Sequence, residues 1–188
     1  MGRRKLRRRL LGALGAAGFV AVAGPGLAAR PVVGEPAPPF ELTGLDGRKL
    51  RLSELKGLVA VLSFWASWCG PCREELPLLA DYARRQGGDR LAILPVNMDG
   101  WGVPDSSRRA PGISGTSFRS LRGPYGLLGG MPTNYVIGAD GVLRYARGGA
   151  FTWPTLDALL APLLLETPPA TARAKVANAG RGSPLGPT

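Results

Sequence analysis

The chain has 188 residues, of which 45% are hydrophobic and 20% charged, a composition that suits one globular domain with additional segments at its ends. Its formal net charge of +11 is concentrated at those ends, because residues 30–166 carry 15 basic and 13 acidic side chains. This central region has no basic stripe interleaved with aromatic residues, which argues against a nucleic-acid-binding protein.

The first 29 residues predict an export signal or a membrane anchor. A basic head is followed by a nearly uncharged stretch, residues 10–29, and cleavage after Ala23 or Ala28 satisfies the small-residue rule for signal peptides. The same stretch approaches the roughly 20 residues that span a bilayer, so an uncleaved anchor is the alternative. Both interpretations predict a globular part in the periplasm or another extracytoplasmic compartment.

The next segments predict a linker, a hairpin and a strand. Residues 30–39 are rich in proline and glycine and predict an extended linker into a domain of residues 40–166. Apolar and polar residues alternate on both sides of Asp46-Gly47, a dipeptide that accepts tight-turn geometry, and this predicts an N-terminal β-hairpin. Residues 58–64 are apolar at nearly every position, which indicates a strand buried on both faces.

The second half of the domain is less regular. Helical spacing of apolar residues predicts a helix over residues 71–85, and a second buried strand follows at residues 91–97, where Pro95 indicates an irregularity or an edge position. Residues 99–130 show no sustained period and predict an irregular segment with at most short helical or extended pieces.

Regular patterns then return near the C-terminus. Residues 133–147 predict a second hairpin and residues 153–164 a final amphipathic helix. Residues 167–188 have few core-forming side chains and predict a disordered tail.

Both cysteines of the chain lie in Trp68-Cys69-Gly70-Pro71-Cys72, between a predicted strand and a predicted helix. A helix N-terminus offers free N–H donors and partial positive charge, which favour the thiolate that attacks disulfides. Cys69 is expected to face solvent and attack, whereas Cys72, one turn further and partly buried, is expected to release the mixed disulfide. Pro71 fits an early helical position, where no N–H is needed, and stiffens the pair.

Other uses of two cysteines are less favoured. A zinc site needs four ligands, and the chain has no third cysteine and no histidine. A structural disulfide that closes four residues would gain only about 2 kcal/mol. A copper-carrying or redox-gated binding module with two thiolates and Met131 is one alternative. A peroxiredoxin-like peroxidase is another, although no Pro-x-x-x-Thr-x-x-Cys pattern surrounds Cys69. We expect neither a cofactor nor a bound metal.

Residues 64–77, Phe-Trp-Ala-Ser-Trp-Cys-Gly-Pro-Cys-Arg-Glu-Glu-Leu-Pro, resemble the active-site segment of the exported TlpA/ResA-like thiol-disulfide oxidoreductases of the thioredoxin-like superfamily. The resemblance continues in Gly130-Met131-Pro132-Thr133 and covers roughly residues 33–165. It implies an α/β thioredoxin-like fold, in which a central mixed sheet is flanked by helices and preceded by an N-terminal β-hairpin.

The resemblance also implies roles for individual residues. Pro132 matches the cis-proline that faces the cysteines, and its missing N–H would leave the Met131 backbone free to pair with a bound peptide. Glu75 matches an acidic position that could relay the proton lost by Cys72. Trp68 is expected to shield Cys69 and contact partners. The residues expected to bind substrate are Trp68, Gly70, Pro71, Met131 and Thr133.

The chain departs from its resemblance in two places. Thioredoxins have a buried aspartate where this chain has Ser63, and a serine alone cannot accept the proton of the second cysteine, so the general base is an open question. Residues 99–130 lack the clear helix and strand usual there, and Trp101 and Phe118 are expected to be packing anchors in this segment.

The resemblance implies that the partners of this protein are protein thiols and disulfides. The Gly-Pro dipeptide between the cysteines favours a reductant over an oxidant. A reductant outside the cytoplasm needs electrons, so the resemblance implies a membrane donor of the DsbD/CcdA type and a possible membrane tether. An apocytochrome c or another exported thiol protein is the expected acceptor, although Thr133 replaces the glutamate common in the cytochrome-maturation branch.

Overall fold

The computed structural model describes residues 30–100, 103–113 and 117–166. The predicted signal or anchor at residues 1–29, the predicted tail at residues 167–188 and Trp101 lie outside these residues. Within the described ranges, no helix has the length and apolar character needed to cross a membrane.

Seven strands of the described residues form one mixed sheet, in the order β2-β1-β5-β4-β3-β6-β7. The strands are β1 Glu41–Gly44, β2 Lys49–Arg51, β3 Val59–Trp65, β4 Leu91–Asn97, β5 Phe118–Arg122, β6 Thr133–Ile137 and β7 Leu143–Gly148. Strand β4 runs parallel to β3 and β5, whereas all other pairs are antiparallel. Both predicted hairpins and the mixed sheet are confirmed.

Two α-helices, α1 (Gly70–Tyr82) and α2 (Trp153–Glu166), pack on the same face of the sheet. One turn of π-helix, Ala83–Gly87, extends α1, and short 3-10 turns lie at Leu52–Leu55 and Gly88–Arg90. The core on the opposite face contains Leu42 and Leu50 of the N-terminal hairpin together with Leu55 and Tyr125 from outside the strands. Both α-helices of the described residues therefore lie on one side of the sheet.

The interior strand β3 is apolar at every position except Ser63, because it supplies side chains to both cores. Ala60, Leu62 and Phe64 pack into the core on the hairpin side. Val59, Val61 and Trp65 pack into the core beneath the two helices. Alternate side chains of a strand point to opposite faces, so a strand in the middle of a covered sheet needs apolar residues at consecutive positions.

Two details correct the sequence-based expectations. Pro95 lies in β4, which is an interior strand and not an edge. Residues 99–130 contain the strand β5, which lies between β1 and β4. Its pattern was weak because three of its five residues are exposed, while Phe118 is buried as a packing anchor. The described residues between β4 and β5 form turns and no helix.

Residues 34–38 of the predicted linker are hydrogen-bonded to the body of the domain. The Gly34 amide donates to the Leu143 carbonyl at 2.8 Å, and the Ala37 amide donates to the Gly141 carbonyl at 2.9 Å. The Tyr125 hydroxyl donates to the Pro38 carbonyl at 2.7 Å. These bonds hold the segment beside the start of β7, at the end of the sheet opposite the cysteines.

Tyr125→Phe is expected to lower the free energy of unfolding by about 1 kcal/mol, because the Pro38 carbonyl loses its hydrogen-bond donor. Urea denaturation measures the loss, and amide exchange at Ala37 should become faster. Tyr82→Phe, which removes a hydroxyl bond between α1 and α2, is the control and should leave exchange at Ala37 unchanged. Equal exchange in both variants would contradict the assignment.

Candidate active site

The helix α1 begins directly at the cysteine pair. Cys69 is its N-cap residue with an extended backbone, and the Cys72 amide donates to the Cys69 sulfur at 3.3 Å. Pro71 lies in the first turn, where amide groups have no partner within the helix, so its missing N–H leaves no bond unmade. The sequence Gly-Pro between the cysteines therefore allows the helix to start between the two sulfurs.

Cys69 and Cys72 form a disulfide with Cα atoms 5.3 Å apart. Cys72 has no exposed surface and Cys69 is 5% exposed. The expectation that Cys69 faces solvent was therefore wrong, because both cysteines lie in the core cluster under the helices. Cys69 is still the more accessible of the two, and its neighbours Trp68, Gly70 and Pro71 are exposed. An attacking group can reach only the Cys69 side.

The Met131–Pro132 peptide bond is cis. Thr133 pairs with Phe64 in the register of β3 and β6, so Pro132 lies where β3 ends and the cysteine turn begins. Met131 is partly buried against the core cluster that contains both cysteines. The structure thus brings Pro132 and Met131 to the same end of the sheet as the cysteine pair.

Thr133 was expected to contact substrate, but its side chain has no exposed surface. Its hydroxyl donates to the Gly130 carbonyl at 2.6 Å and accepts from the Leu128 amide at 3.0 Å. Thr133 is the first residue of the buried strand β6, and its hydroxyl forms hydrogen bonds with the backbone of the preceding loop. Thr133 therefore holds the loop before Pro132, and its hydroxyl is not available to a substrate.

Glu75 is the buried carboxyl group of the site. It lies three residues after Cys72, on the same face of α1, and is 1% exposed. Its Oε1 accepts from the Asn134 side-chain amide at 2.8 Å and the Phe151 backbone amide at 2.7 Å, and its Oε2 accepts from the Ser63 hydroxyl at 3.2 Å. Burial raises the pKa of Glu75 and outweighs the three hydrogen bonds, which act in the opposite direction.

The surroundings of Glu75 show which acid lies where thioredoxins have the buried aspartate. Strand β3 supplies only the Ser63 hydroxyl, and the acid is Glu75 of α1, which accepts a hydrogen bond from Ser63. Sequence reasoning identified Glu75 but did not identify Asn134 or the Phe151 amide as its partners. Asn134 could have been noticed, because it is a polar residue beside the apolar run Tyr135-Val136-Ile137 in a buried strand.

Within the described ranges, no group of three or more histidine, cysteine or acidic residues is placed to hold a metal ion. What the site does contain is a disulfide, a buried acid one helical turn from its inner cysteine and a cis-proline at the adjoining strand. These groups suit proton-coupled thiol-disulfide exchange.

Comparisons with known proteins agree with this chemistry. Residues 33–146 match the model of the AhpC/TSA family. The chain is 29% identical to thioredoxin-like protein YneN of Bacillus subtilis (strain 168), over 63% of this chain and 73% of that protein. It is 29% identical to thiol-disulfide oxidoreductase ResA of Bacillus thuringiensis (strain Al Hakam), over 58% of this chain and 65% of that protein, just under two thirds of its length.

A solved structure shares the fold at similar sequence identity. It is described as a thiol:disulfide interchange protein DsbE from Chlorobium tepidum, with a TM-score of 0.59 and 28% identity, and the match covers 71% of this chain and 99% of that one. Its description, the family match and the geometry of the cysteine pair lead to one assignment. The chain belongs to the AhpC/TSA family and is a thiol-disulfide oxidoreductase with a thioredoxin-like fold.

Proposed function

We propose that the protein is an extracytoplasmic reductant of protein disulfides that works through a mixed disulfide at Cys69. The observation that carries this proposal is the position of Glu75, a buried acid one turn from the fully buried Cys72. Such a group has no use in a permanent structural disulfide. It has a use where Cys72 must repeatedly lose and regain a proton.

The exchange proceeds in two steps. The Cys69 thiolate attacks one sulfur of the substrate disulfide, forms a mixed disulfide and releases the other sulfur as a thiolate. Cys72 then transfers its proton to Glu75, attacks the Cys69 sulfur and releases the second substrate sulfur. The substrate gains two electrons, and the protein is left with the Cys69–Cys72 disulfide seen in the structure.

The surface around the cysteines supports a protein substrate. Trp68 is 71% exposed beside Cys69, and Leu127 and Leu128 are 46% and 40% exposed in the loop before Pro132. Met98, 40% exposed, follows β4, and its amide donates to the Trp65 carbonyl near the cysteine turn. Exposed apolar side chains grouped around a reactive site suit an apolar segment of a protein better than a small polar thiol.

The cellular setting is proposed on the predicted N-terminal segment. Residues 34–38 enter the domain at the end of the sheet opposite the cysteines. A signal or anchor at residues 1–29 would therefore leave the cysteine end facing away from the membrane. A membrane electron donor of the DsbD/CcdA type would re-reduce the pair, and an apocytochrome c or another exported thiol protein would receive the electrons.

Insulin reduction and a redox titration against glutathione test the proposal. We expect the reduced protein to precipitate insulin catalytically and to show a potential of about −260 mV or lower, in the range of reducing thioredoxins. A potential near about −120 mV would indicate an oxidase instead. Stoichiometric Cu(I) retention without insulin reduction would favour the binding-module alternative, and turnover of hydrogen peroxide would favour the peroxidase.

A further inference from the structure

Asp99 lies outside the cysteine pair and the Glu75 environment, yet it is bonded to the active-site turn. It is 8% exposed and follows β4 by two residues. Its Oδ1 accepts from the Ser67 backbone amide at 3.0 Å and from the Ser67 hydroxyl at 3.1 Å. Ser67 precedes Cys69 by two residues, so this carboxylate reaches the chain immediately before the attacking cysteine.

Ser67 lies inside a turn that ends at Cys69. The Cys69 amide donates to the Ala66 carbonyl at 3.1 Å and closes the turn, with Ser67 and Trp68 as its central residues. Cys69 is then the N-cap of α1, where its sulfur accepts from the Cys72 amide. The conformation of this turn therefore decides where the Cys69 sulfur lies relative to the free amides of the helix.

The second oxygen of Asp99 is held by Asn97. The Asn97 side-chain amide donates to Oδ2 at 2.8 Å, and the Asn97 side-chain oxygen accepts from the Asp99 backbone amide at 3.0 Å. Arg108 extends the network by donating to the Asn97 oxygen at 3.3 Å and to the Gly100 carbonyl at 2.7 Å. The carboxylate thus has defined donors on both oxygens, which a surface aspartate in water does not have.

We propose that Asp99 is a positioning residue for disulfide exchange, which acts through Ser67 to hold Cys69 at the N-terminus of α1. This inference rests on the proposed function and adds the short segment after β4 to its machinery. Asn97 and Arg108 hold Asp99 in turn. The role is one of geometry, because the carboxylate bonds to the turn before Cys69 and not to either sulfur.

Asp99→Ala in the full-length reduced protein tests the role. We expect iodoacetamide to alkylate Cys69, located by mass spectrometry, about tenfold more slowly at neutral pH, with the pH midpoint of the rate moved upward by about one unit. Loss of a nearby negative charge would by itself favour the thiolate and move the midpoint downward. A downward or absent shift would therefore overturn the proposal.

A double variant that exchanges the side chains of positions 97 and 99 separates the effect of hydrogen bonding from the effect of charge. Asn97→Asp combined with Asp99→Asn reverses the bond between the two side chains and leaves an oxygen at position 99 for the Ser67 amide and hydroxyl. Net charge is unchanged, and we expect the Cys69 rate to return to within about twofold of wild type. Failure of this rescue, in a variant that retains the wild-type circular dichroism spectrum, would contradict a positioning role.

Control variants distinguish positioning from a general loss of stability. Asp140→Ala removes a half-exposed carboxylate from the turn between β6 and β7, and Tyr82→Phe removes the hydroxyl bond to Asp157. Both should leave the Cys69 midpoint unchanged. If Asp99→Ala does not fold, Ser67→Ala removes the hydroxyl bond alone and should produce a smaller upward shift, whereas no shift would overturn the proposal.

The readout does not depend on the natural reaction. Alkylation of Cys69 requires no insulin reduction, no electron donor and no particular potential. A protein that fails the insulin test but shows the Asp99 effect and its rescue would disprove the proposed reductase and retain the positioning role. A protein that reduces insulin with an unshifted Asp99→Ala midpoint would do the reverse.

Discussion

Cys72→Ser is expected to accumulate a mixed disulfide between Cys69 and a substrate protein, because the second attack that releases the substrate cannot occur. Cys72 has no exposed surface, whereas the Cys69 side of the pair borders exposed residues. A substrate disulfide therefore meets Cys69 first. Incubation of the reduced variant with insulin that retains its disulfides, followed by non-reducing mass spectrometry, should show a covalent adduct that dithiothreitol removes.

Cys69→Ser is the matched control. It retains one cysteine in the same motif, but that cysteine, Cys72, has no exposed surface. We expect no adduct and complete loss of insulin reduction. Adducts formed through Cys72 in this variant would reverse the order of attack, and adducts in neither variant would exclude the mixed-disulfide mechanism.

Glu75→Gln is expected to slow insulin reduction by about 10²-fold, the usual contribution of a general base. The substitution preserves the hydrogen bonds, because one amide oxygen can accept from Asn134 and Phe151 while the amide nitrogen donates to the Ser63 hydroxyl. The variant should therefore fold. It lacks only the proton acceptor for Cys72, so it should accumulate the mixed disulfide while alkylation of Cys69 stays near the wild-type rate.

Glu74→Gln provides the control for this substitution. Glu74 is the adjacent residue of α1 and is exposed, so its charge is removed without any change to the buried network. We expect insulin reduction within about twofold of wild type. Equal activity in the Glu74 and Glu75 variants across the pH range would contradict the role of Glu75 in proton transfer.

Glu75→Gln should also change the free energy of unfolding, with a defined pH dependence. Burial raises the pKa of Glu75 above its ordinary value of 4.5, so the folded protein holds this proton more tightly than the unfolded chain. Ionisation of Glu75 therefore destabilises the wild type progressively from about pH 4.5 up to the folded pKa, and by a constant amount above it.

Glu75→Gln has no such ionisation, so its free energy of unfolding relative to wild type should rise through this pH window. Chemical denaturation of both proteins at a series of pH values measures the difference. A variant that loses stability relative to wild type as the pH rises would contradict the direction of the pKa shift.

Several elements were predictable because their signals are local. The two hairpins, strands β3 and β4 and the start of α1 follow from turn residues and from apolar periodicity over short stretches. The sequence allowed a short extended piece in residues 99–130 but did not locate strand β5, because three exposed positions leave only two apolar residues in five. Its place in the sheet depends on β1 and β4, which are remote in sequence.

By itself the sequence determined the chemistry of the site. Cys69, Cys72 and the intervening Gly-Pro place a redox pair at a helix start, and this follows from residues that are adjacent in the chain. Only the tertiary structure decided which side chains from other parts of the chain lie beside the cysteine pair. Glu75 is buried because α1 lies over β3 and β6, and Asp99 meets Ser67 because the parallel strands β3 and β4 end side by side. Both arrangements join residues distant in the chain, so their burial and hydrogen bonds exist only once the sheet and helices have packed.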